Sequence, residues 1–281
     1  MKILILGCTG MIGSSIYNES RKNKSIETFG TYRNIKKIKN KNKNLFKFNA
    51  IQKSSINKII QKIKPNFVIN CIGLTKHIEE KDKKKFFKIN SEFPHYVKKI
   101  SNKNSSKFVQ ISTDCVFSGN QGNYSEKSKP DAKDIYGISK KKGEILDKKN
   151  LTIRTSTIGH EIETSYGLLE WFLRKQKNCH GYSKAYFNGF PTFYFSKILL
   201  KIILKFRTTG LLHISGKKID KYSLIKIIAK TYNKKIKISK DIAFKTDRTL
   251  NNQKLKKYIK SFCGWNKLII EMKKNHESKK I

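Results

Sequence analysis

The chain begins with KILILGCTGMIG, residues 2–13, in which a short apolar run is followed by three regularly spaced glycines. A continuously apolar, β-branched run is typical of a strand that is buried on both faces of a parallel sheet. Gly7, Gly10 and Gly13 then allow a tight turn, a close approach of the backbone to a phosphate, and close packing of the next helix on the strand. A helix that starts at this point offers free N–H groups to an anion.

Similar apolar runs alternate with helical patterns along the first half of the chain. Strands are expected at 27–32, 66–73, 107–113, 151–156 and 211–215, and helices at 56–64 and 86–101. Such alternation implies parallel pairing, because a parallel crossover needs a connection as long as a helix. We therefore expect an α/β fold, a Rossmann-type doubly wound parallel sheet with a smaller C-terminal substrate-binding region. The expected boundaries are 1–158 for the dinucleotide-binding domain, to which the strand near 211–215 returns, and 159–281 for the smaller region with a basic tail.

The composition is strongly basic, with a formal net charge of +42, and 56 of the 62 basic residues are lysines. Runs such as KKIKNKNKN, residues 36–44, mix lysine with asparagine and carry no interleaved aromatic residues. No zinc-finger spacing or RNA-binding aromatic signature is present. We interpret the excess as compositional drift and expect no nucleic-acid partner, although it should attract anionic small molecules.

The five cysteines are widely spaced and form no Cys-x-x-Cys pair. This pattern favours free thiols in a reducing cytoplasm over disulfides or a zinc site, and the histidines show no metal-ligand spacing either. In the apolar stretch 193–206, Lys197, Lys201 and Lys205 recur every four residues and mark one face of an amphipathic helix. We therefore expect a cytoplasmic protein with no metal and no membrane insertion.

The residues at the end of the second predicted strand indicate which coenzyme is bound. Proteins that bind NAD usually carry an acidic residue there, which bonds the ribose 2′-hydroxyl. Here the segment reads GTYRN, residues 30–34, with no acid. Arg33 is placed to hold a 2′-phosphate through forked, charge-assisted hydrogen bonds. We expect NADP(H), with NAD(H) as the open alternative.

A tyrosine and a lysine stand four residues apart in DIYGISKKKGE, residues 134–144. The spacing alone carries no weight, because the chain contains three such pairs and its lysine content makes that number ordinary. Tyr136 and Lys140 follow a strand end that supplies Thr113 and Asp114 at the ligand-binding edge of the sheet, and neither of the other pairs has a strand end placed to use it. We expect Lys140 to lower the pKa of Tyr136, Tyr136 to protonate a carbonyl oxygen, and Thr113 to donate a hydrogen bond to that oxygen.

The motifs GCTGMIG, NCIG, STDCVFSG and YGISKKKGE resemble those of extended short-chain dehydrogenases/reductases, in particular the dTDP-4-dehydrorhamnose reductase family. Later segments, IRTSTIG, GLLEWFL, FNGFPT and DRTL, extend the resemblance over most of the chain. The resemblance implies a catalytic set of Thr113, Tyr136 and Lys140. It implies coenzyme contacts from Gly7, Gly10, Met11, Ile12, Gly13 and Asn49, with Cys71, Ile72 and Gly73 on the nicotinamide side. It implies substrate contacts from Asp114, Arg154, Asn188 and Thr192, while Trp171 suits either stacking on a sugar or base of the substrate or a place in the core.

Some positions depart from the family pattern. Asn49 stands where the family often has an acidic residue near the adenine, and STIGHE follows Arg154 in place of an aromatic-containing segment. The leading hypothesis is an NADPH-dependent reductase of a nucleotide-linked 4-keto-6-deoxy sugar, with a homodimer as one possible assembly. The alternatives are an NAD-dependent sugar-nucleotide epimerase or dehydratase of the same fold, and a non-catalytic nucleotide-sugar-binding regulatory subunit.

Overall fold

The computed structural model describes residues 1–34, 43–75, 82–161, 166–206 and 208–278. The strands are β1 (Lys2–Leu6), β2 (Glu27–Tyr32), β3 (Leu45–Lys47), β4 (Phe67–Asn70), β5 (Lys107–Ile111), β6 (Leu151–Thr155), β7 (Thr157–Ile158), β8 (Asn178–Phe187), β9 (Phe190–Pro191), β10 (Gly210–Ile214), β11 (Ile219–Asp220) and β12 (Lys237–Asp247). The helices are α1 (Met11–Arg21), α2 (Ser55–Ile63), α3 (Lys83–Phe87), α4 (Phe93–Lys103), α5 (Ile135–Lys142), α6 (Leu168–Arg174), α7 (Thr192–Lys201), α8 (Lys221–Thr231), α9 (Gln253–Lys256) and α10 (Trp265–Glu277).

Seven of these strands form one sheet in the order β10-β6-β5-β4-β1-β2-β3. Every pairing in it is parallel, which confirms the Rossmann-type fold expected from the alternating pattern. The strand order reverses beside β1, and the crevice at such a reversal is where ligands bind in open α/β sheets. The late strand β10 lies next to β6 at one edge of the sheet. The division of the chain at residue 158 stays a prediction.

Both faces of the sheet are covered, as the sequence of β1 requires. Ile3 and Ile5 point into a core shared with α1, α7 and α10, whereas Leu4 and Leu6 point into a second core shared with α2 and α4. Because successive strand residues face opposite sides, an unbroken apolar run is stable only between two helical layers.

A second, three-stranded sheet has the order β11-β8-β12 and lies outside the strand pattern predicted from the sequence. The long strands β8 and β12 are mutually parallel. They carry many lysines and polar residues because one face is open, so they lack the continuous apolar signal of the central strands.

Two segments in the second half of the chain form helices. The segment 193–206 forms α7 and a following π-helical turn, with Lys197, Lys201 and Lys205 exposed as the amphipathic pattern predicts. Part of the segment expected as a basic tail is helical, because α10 continues to Glu277 and buries Met272. Residues 279–281 lie outside the described residues.

Within the described part of the chain, no helix has the length and apolar character that a membrane span needs.

Candidate active site

The glycine loop forms at the junction of β1 and α1, and its geometry explains two of its glycines. Gly7 has a φ of +78°, a conformation that residues with a side chain rarely adopt. At Gly13, a Cβ atom would lie 2.2 Å from the carbonyl oxygen of Gly7, so the helix packs directly on the turn. Gly10 is the N-cap residue of α1, and no side chain caps the helix. The first N–H groups of α1 therefore suit a pyrophosphate, and the loop fits a dinucleotide.

The remaining residues predicted to bind the coenzyme fall into two groups. Cys71, Ile72 and Gly73 follow β4 directly, and the side chain of Ile72 packs against Gly7 at the glycine loop. Burial raises the pKa of the Cys71 thiol to about 12, which keeps this side chain uncharged. Arg33 is exposed just after β2, whereas the side chain of Asn49 is already engaged, since its Oδ1 accepts the N–H of Ile51 at 3.1 Å.

Thr113 and Asp114 lie at the carboxyl end of β5, where a short 3₁₀ helix begins. The Thr113 hydroxyl accepts the N–H of Cys115 at 3.1 Å and donates to Asp114 Oδ1 at 3.1 Å. Thr113 is therefore held in place by its own turn, with its hydroxyl at the surface of the cleft described below.

Tyr136 lies in the first turn of α5, which is fixed against the same strand end. Asp134 caps this helix by accepting the N–H of Gly137 at 2.9 Å. A Cβ atom on Gly137 would lie 2.3 Å from the carbonyl oxygen of Cys115, so only glycine allows this close packing. The result is that the side chains of Tyr136 and Thr113 lie together at the lining of one cleft.

Lys140 lies one turn further along α5 and is only 7% exposed. Its ammonium donates to the carbonyl oxygen of Ile111 at 2.7 Å and lies close to Gly73. Burial lowers the pKa of Lys140 to about 8, although the nearby Glu144 carboxylate favours the charged form. A buried cation thus stands beside the loop that is predicted to face the nicotinamide.

The expected effect of Lys140 on Tyr136 is wrong in this structure. Burial raises the pKa of Tyr136 above its ordinary value, the Cys115 thiol raises it further, and the hydrogen bond with Thr113 lowers it. The reason is that the ammonium of Lys140 is directed at the Ile111 carbonyl. Tyr136 is therefore a neutral proton donor over the whole physiological pH range.

A buried asparagine that sequence reasoning missed supports this arrangement. Asn90 lies in a π-helical turn, Lys88–Glu92, and donates to Ser139 of α5 at 3.0 Å and to the carbonyl oxygen of Leu74 at 3.1 Å. It therefore connects the segment after β4 to the helix that carries Tyr136 and Lys140. The only sequence signal is a polar residue within the apolar helical pattern 86–101.

A cleft of about 290 Å³ opens above these groups. Met11 and Ile12 of the glycine loop line it together with Thr113, Asp114 and Tyr136, which brings five of the predicted residues to one place. Residues that sequence reasoning did not select complete the lining. They include Thr75, Ser112, Glu161, Tyr166, Tyr186, Lys221 and Arg248.

Arg154 was predicted to face the substrate, and the structure contradicts this. Its side chain is 2% exposed and forms a bidentate ion pair with Glu144, with both N–O distances at 2.7 Å. Its guanidinium also lies 5.1 Å from the ring centre of Phe117, in cation–π contact. Glu144 further accepts the hydroxyl proton of Ser112 at 2.8 Å, so Arg154 supports the site from below the strand ends.

The other three predicted substrate residues also lie outside the cleft. Asn188 is buried, and its amide exchanges two hydrogen bonds with the backbone of Leu250. Thr192 is buried at the start of α7, next to Gly159. Trp171 is 38% exposed on α6, with the ammonium of Lys175 over its ring. Side chains that are fully engaged in the fold and side chains that face solvent look alike in the sequence.

For one of the missed cleft residues, Arg248, the sequence did contain a signal. Arg248 belongs to the DRTL segment, which is part of the resemblance to the reductase family. Its Nε donates to the carbonyl oxygen of Phe117 at 2.9 Å, which fixes the guanidinium at the cleft wall. Among the described residues, no group of three or more His, Cys, Asp or Glu side chains is placed to hold a metal ion.

The glycine loop at the first strand–helix junction of a doubly wound sheet, with Tyr136 and Lys140 on one helix at its carboxyl edge, defines an extended short-chain dehydrogenase/reductase. A family model described as RmlD substrate binding domain matches residues 1–254, and the chain belongs to this family.

Solved structures agree with this fold. The chain is similar to a hypothetical dTDP-4-dehydrorhamnose reductase from Sulfolobus tokodaii, with a TM-score of 0.80 and 23% identity, over 95% of this chain and 98% of that one. It is also similar to a dTDP-4-dehydrorhamnose reductase from Bacillus anthracis in complex with NADP, with a TM-score of 0.79 and 20% identity over 96% and 98%. A dTDP-glucose 4,6-dehydratase from the same organism, in complex with NAD, has a TM-score of 0.80 at 15% identity over 99% and 97%.

One curated relative is named as a subunit of another enzyme and not as a reductase. Over 146 residues the chain is 26% identical to the methionine adenosyltransferase 2 subunit beta of Danio rerio. The match covers 51% of this chain and 42% of that protein, so the chain spans less than half of the relative's length.

Proposed function

We propose that this protein is a cytoplasmic, NADPH-dependent reductase of a nucleotide-linked 4-keto-6-deoxy sugar, acting in nucleotide-sugar and surface polysaccharide biosynthesis. The observation that carries the proposal is the cleft itself, in which the side chains of Tyr136 and Thr113 lie beside Met11 and Ile12 of the glycine loop. A proton donor and a coenzyme loop at one surface suit carbonyl reduction.

When it is bound, the reduced nicotinamide supplies the hydride for the carbonyl carbon. Tyr136 donates its proton to the carbonyl oxygen, and the Thr113 hydroxyl hydrogen-bonds the same oxygen as negative charge develops there. Lys140, buried beside Gly73, would bind the coenzyme ribose, and Tyr136 regains its proton from solvent in the open cleft. Arg248 and Lys221 supply positive charge at the cleft wall for the nucleotide-linked end of the substrate.

The test is NADPH oxidation with a dTDP-linked 4-keto-6-deoxy sugar by the wild-type protein and by Tyr136→Phe. Removing the hydroxyl should lower kcat by roughly 10²–10⁴-fold, because it removes the general acid and leaves the coenzyme loop intact. Coenzyme binding, followed by thermal shift, should stay unchanged. Wild-type turnover in Tyr136→Phe would refute the role of this residue.

The preference for NADPH over NADH is a separate part of the proposal and rests on Arg33, which is exposed at the end of β2. Arg33→Gln should raise the KM for NADPH about tenfold or more and leave the KM for NADH nearly unchanged, because only NADPH carries the 2′-phosphate. A wild-type preference for NADH would remove Arg33 from the account and favour the NAD-dependent epimerase or dehydratase alternative.

A non-catalytic subunit is the second candidate, since the curated relative named above is a subunit of a methionine adenosyltransferase. Against it stands the set of Tyr136, Thr113 and Lys140, which the fold brings to the cleft and its floor. Binding of coenzyme and nucleotide sugar without stoichiometric oxidation of NADPH, over a panel of 4-keto sugar nucleotides, would favour the subunit.

A further inference from the structure

One face of the β8–β12 sheet forms a second depression, of about 550 Å³. Lys184 and Tyr186 of β8 lie on this face because side chains two residues apart along a strand point the same way. Their register partners on β12, Lys245 and Asp247, complete it. Ala185, between the two β8 residues, is fully buried on the opposite face.

The depression continues into the cleft that contains Tyr136. Tyr186 and Thr246 line both spaces, so the two spaces are adjacent and meet at these side chains. On the other side lie Gly119, Asn120 and Gln121, whose chain passes so close to β12 that a Cβ atom on Gly119 would be 2.4 Å from Thr246 Oγ1. A ligand bound near Tyr136 can therefore extend into the depression.

The charges in the depression are unbalanced. Asp247 is neutralised by an ion pair with Lys218, whose ammonium also covers the ring of Tyr186 at 3.9 Å. Lys184 and Lys245 are both exposed, and among the described residues neither has an acidic partner. Like charges directly opposite each other on paired strands are unfavourable. An anion bound between them would relieve this repulsion.

A bulge in β12 creates the lysine pair. Asp241 is opposite Tyr182, but the next registered pair is Lys245 with Lys184, so β12 uses two more residues than β8 over this interval. Without the bulge, Ala243 would stand opposite Lys184. Bulges commonly redirect a side chain beside a functional site. The irregularity therefore places a second ammonium where regular pairing would have placed a methyl group.

We propose that Lys184 and Lys245 form an anion subsite, which takes the phosphate groups of the substrate while its sugar lies at Tyr136. The Asn120 and Gln121 amides, which line the same depression, supply neutral donors around it. The subsite selects a substrate with a diphosphate over a neutral sugar or a sugar monophosphate. The proposal rests on the proposed function for the identity of the substrate, although the subsite itself can be tested without it.

The probe is inorganic pyrophosphate, measured by titration calorimetry on the full chain at fixed ionic strength and with saturating NADP⁺, which occupies the glycine loop. The double variant Lys184→Gln/Lys245→Gln should bind it about tenfold or more weakly than the wild type. The control Lys237→Gln/Lys240→Gln removes the same charge from the same sheet, away from the depression, and should bind within about twofold of the wild type. Melting temperatures of all three proteins check that each is folded.

Equal weakening in both double variants would show that only the general positive charge attracts the anion, and would overturn the subsite. No change in Lys184→Gln/Lys245→Gln, or no binding to the wild type, would do the same. In the reductase assay this variant should raise the KM for the nucleotide sugar about tenfold and keep kcat, since the reacting groups are untouched. Specific pyrophosphate binding in a protein without reductase activity would refute the proposed function and leave the subsite standing.

Discussion

At the scale of the residue, Lys140 is a group whose positive charge is opposed by burial. It is almost fully buried, it has one carbonyl oxygen as hydrogen-bond partner, and its pKa falls from 10.5 to about 8. Its charge therefore costs folding free energy at neutral pH, because the unfolded chain holds the same charge in water. That cost is consistent with a residue kept for coenzyme binding and proton transfer.

The pH dependence of stability tests this cost. Below about pH 8 the lysine is charged in both states and the cost is complete, whereas between about pH 8 and 10.5 only the unfolded chain keeps the proton. Urea unfolding should therefore show the wild type gaining stability relative to Lys140→Met as the pH rises through this window, by on the order of 3 kcal/mol. Lys141→Met, at an exposed position of the same helix, should show no such trend. A difference that is flat or falls with pH would contradict a buried Lys140.

Residues whose position in the fold depends on the local sequence could be predicted. Gly7, Gly13, Thr113 and Tyr136 lie at strand ends and helix starts, where local pattern determines the backbone and the parallel sheet determines the common edge. Arg154 could not be predicted, because its partner Glu144 has no pattern that distinguishes it from the other acids.

At the scale of the element, the Glu144–Arg154 ion pair joins the end of α5 to β6. Both side chains are 2% exposed, and Ser112 at the end of β5 donates to the same carboxylate. The pair thus connects β5, α5 and β6, of which α5 carries Tyr136 and Lys140 and β5 leads into Thr113. Removing one partner of such a buried pair destabilises a protein more than replacing both partners, because the remaining charge stays buried without a counter-charge.

A double-mutant cycle measures this connection. Arg154→Met should lower the free energy of unfolding by about 3–5 kcal/mol, because it leaves a buried carboxylate without its counter-charge. Glu144→Gln/Arg154→Met should cost clearly less than the sum of the two single variants, as followed by urea unfolding. Additive losses would mean that the two side chains are not coupled in the folded protein.

Elements with one open face were the ones that the sequence did not reveal. The central strands were predicted because burial on both faces requires unbroken apolar runs. The pairing of β8 with β12 involves polar and charged residues on one face and a bulge, so neither alternation nor a continuous run marks it. The depression that this pairing creates was equally absent from the sequence analysis.

At the scale of the whole molecule, the dominant feature is a net charge of +42. Like charges on one compact surface repel each other, and unfolding increases their separation. The melting temperature should therefore rise when NaCl increases from about 0.01 M to about 0.15 M, as the screening length falls from about 30 Å to about 8 Å. Differential scanning calorimetry in the absence of anionic ligands measures the melting temperature at both salt concentrations. A melting temperature that stays constant or falls would mean that ion pairs offset the repulsion.

The most direct test of the central claim follows a hydrogen atom from coenzyme to substrate. NADPH deuterated at the transferred position of C4 is incubated with a nucleotide-linked 4-keto-6-deoxy sugar, and the product is analysed by mass spectrometry and NMR. We predict one deuterium on the former carbonyl carbon for each NADPH oxidised, and none with Tyr136→Phe over the same time. A product without deuterium, or turnover without oxidation of the coenzyme, would contradict a carbonyl reductase built on this cleft.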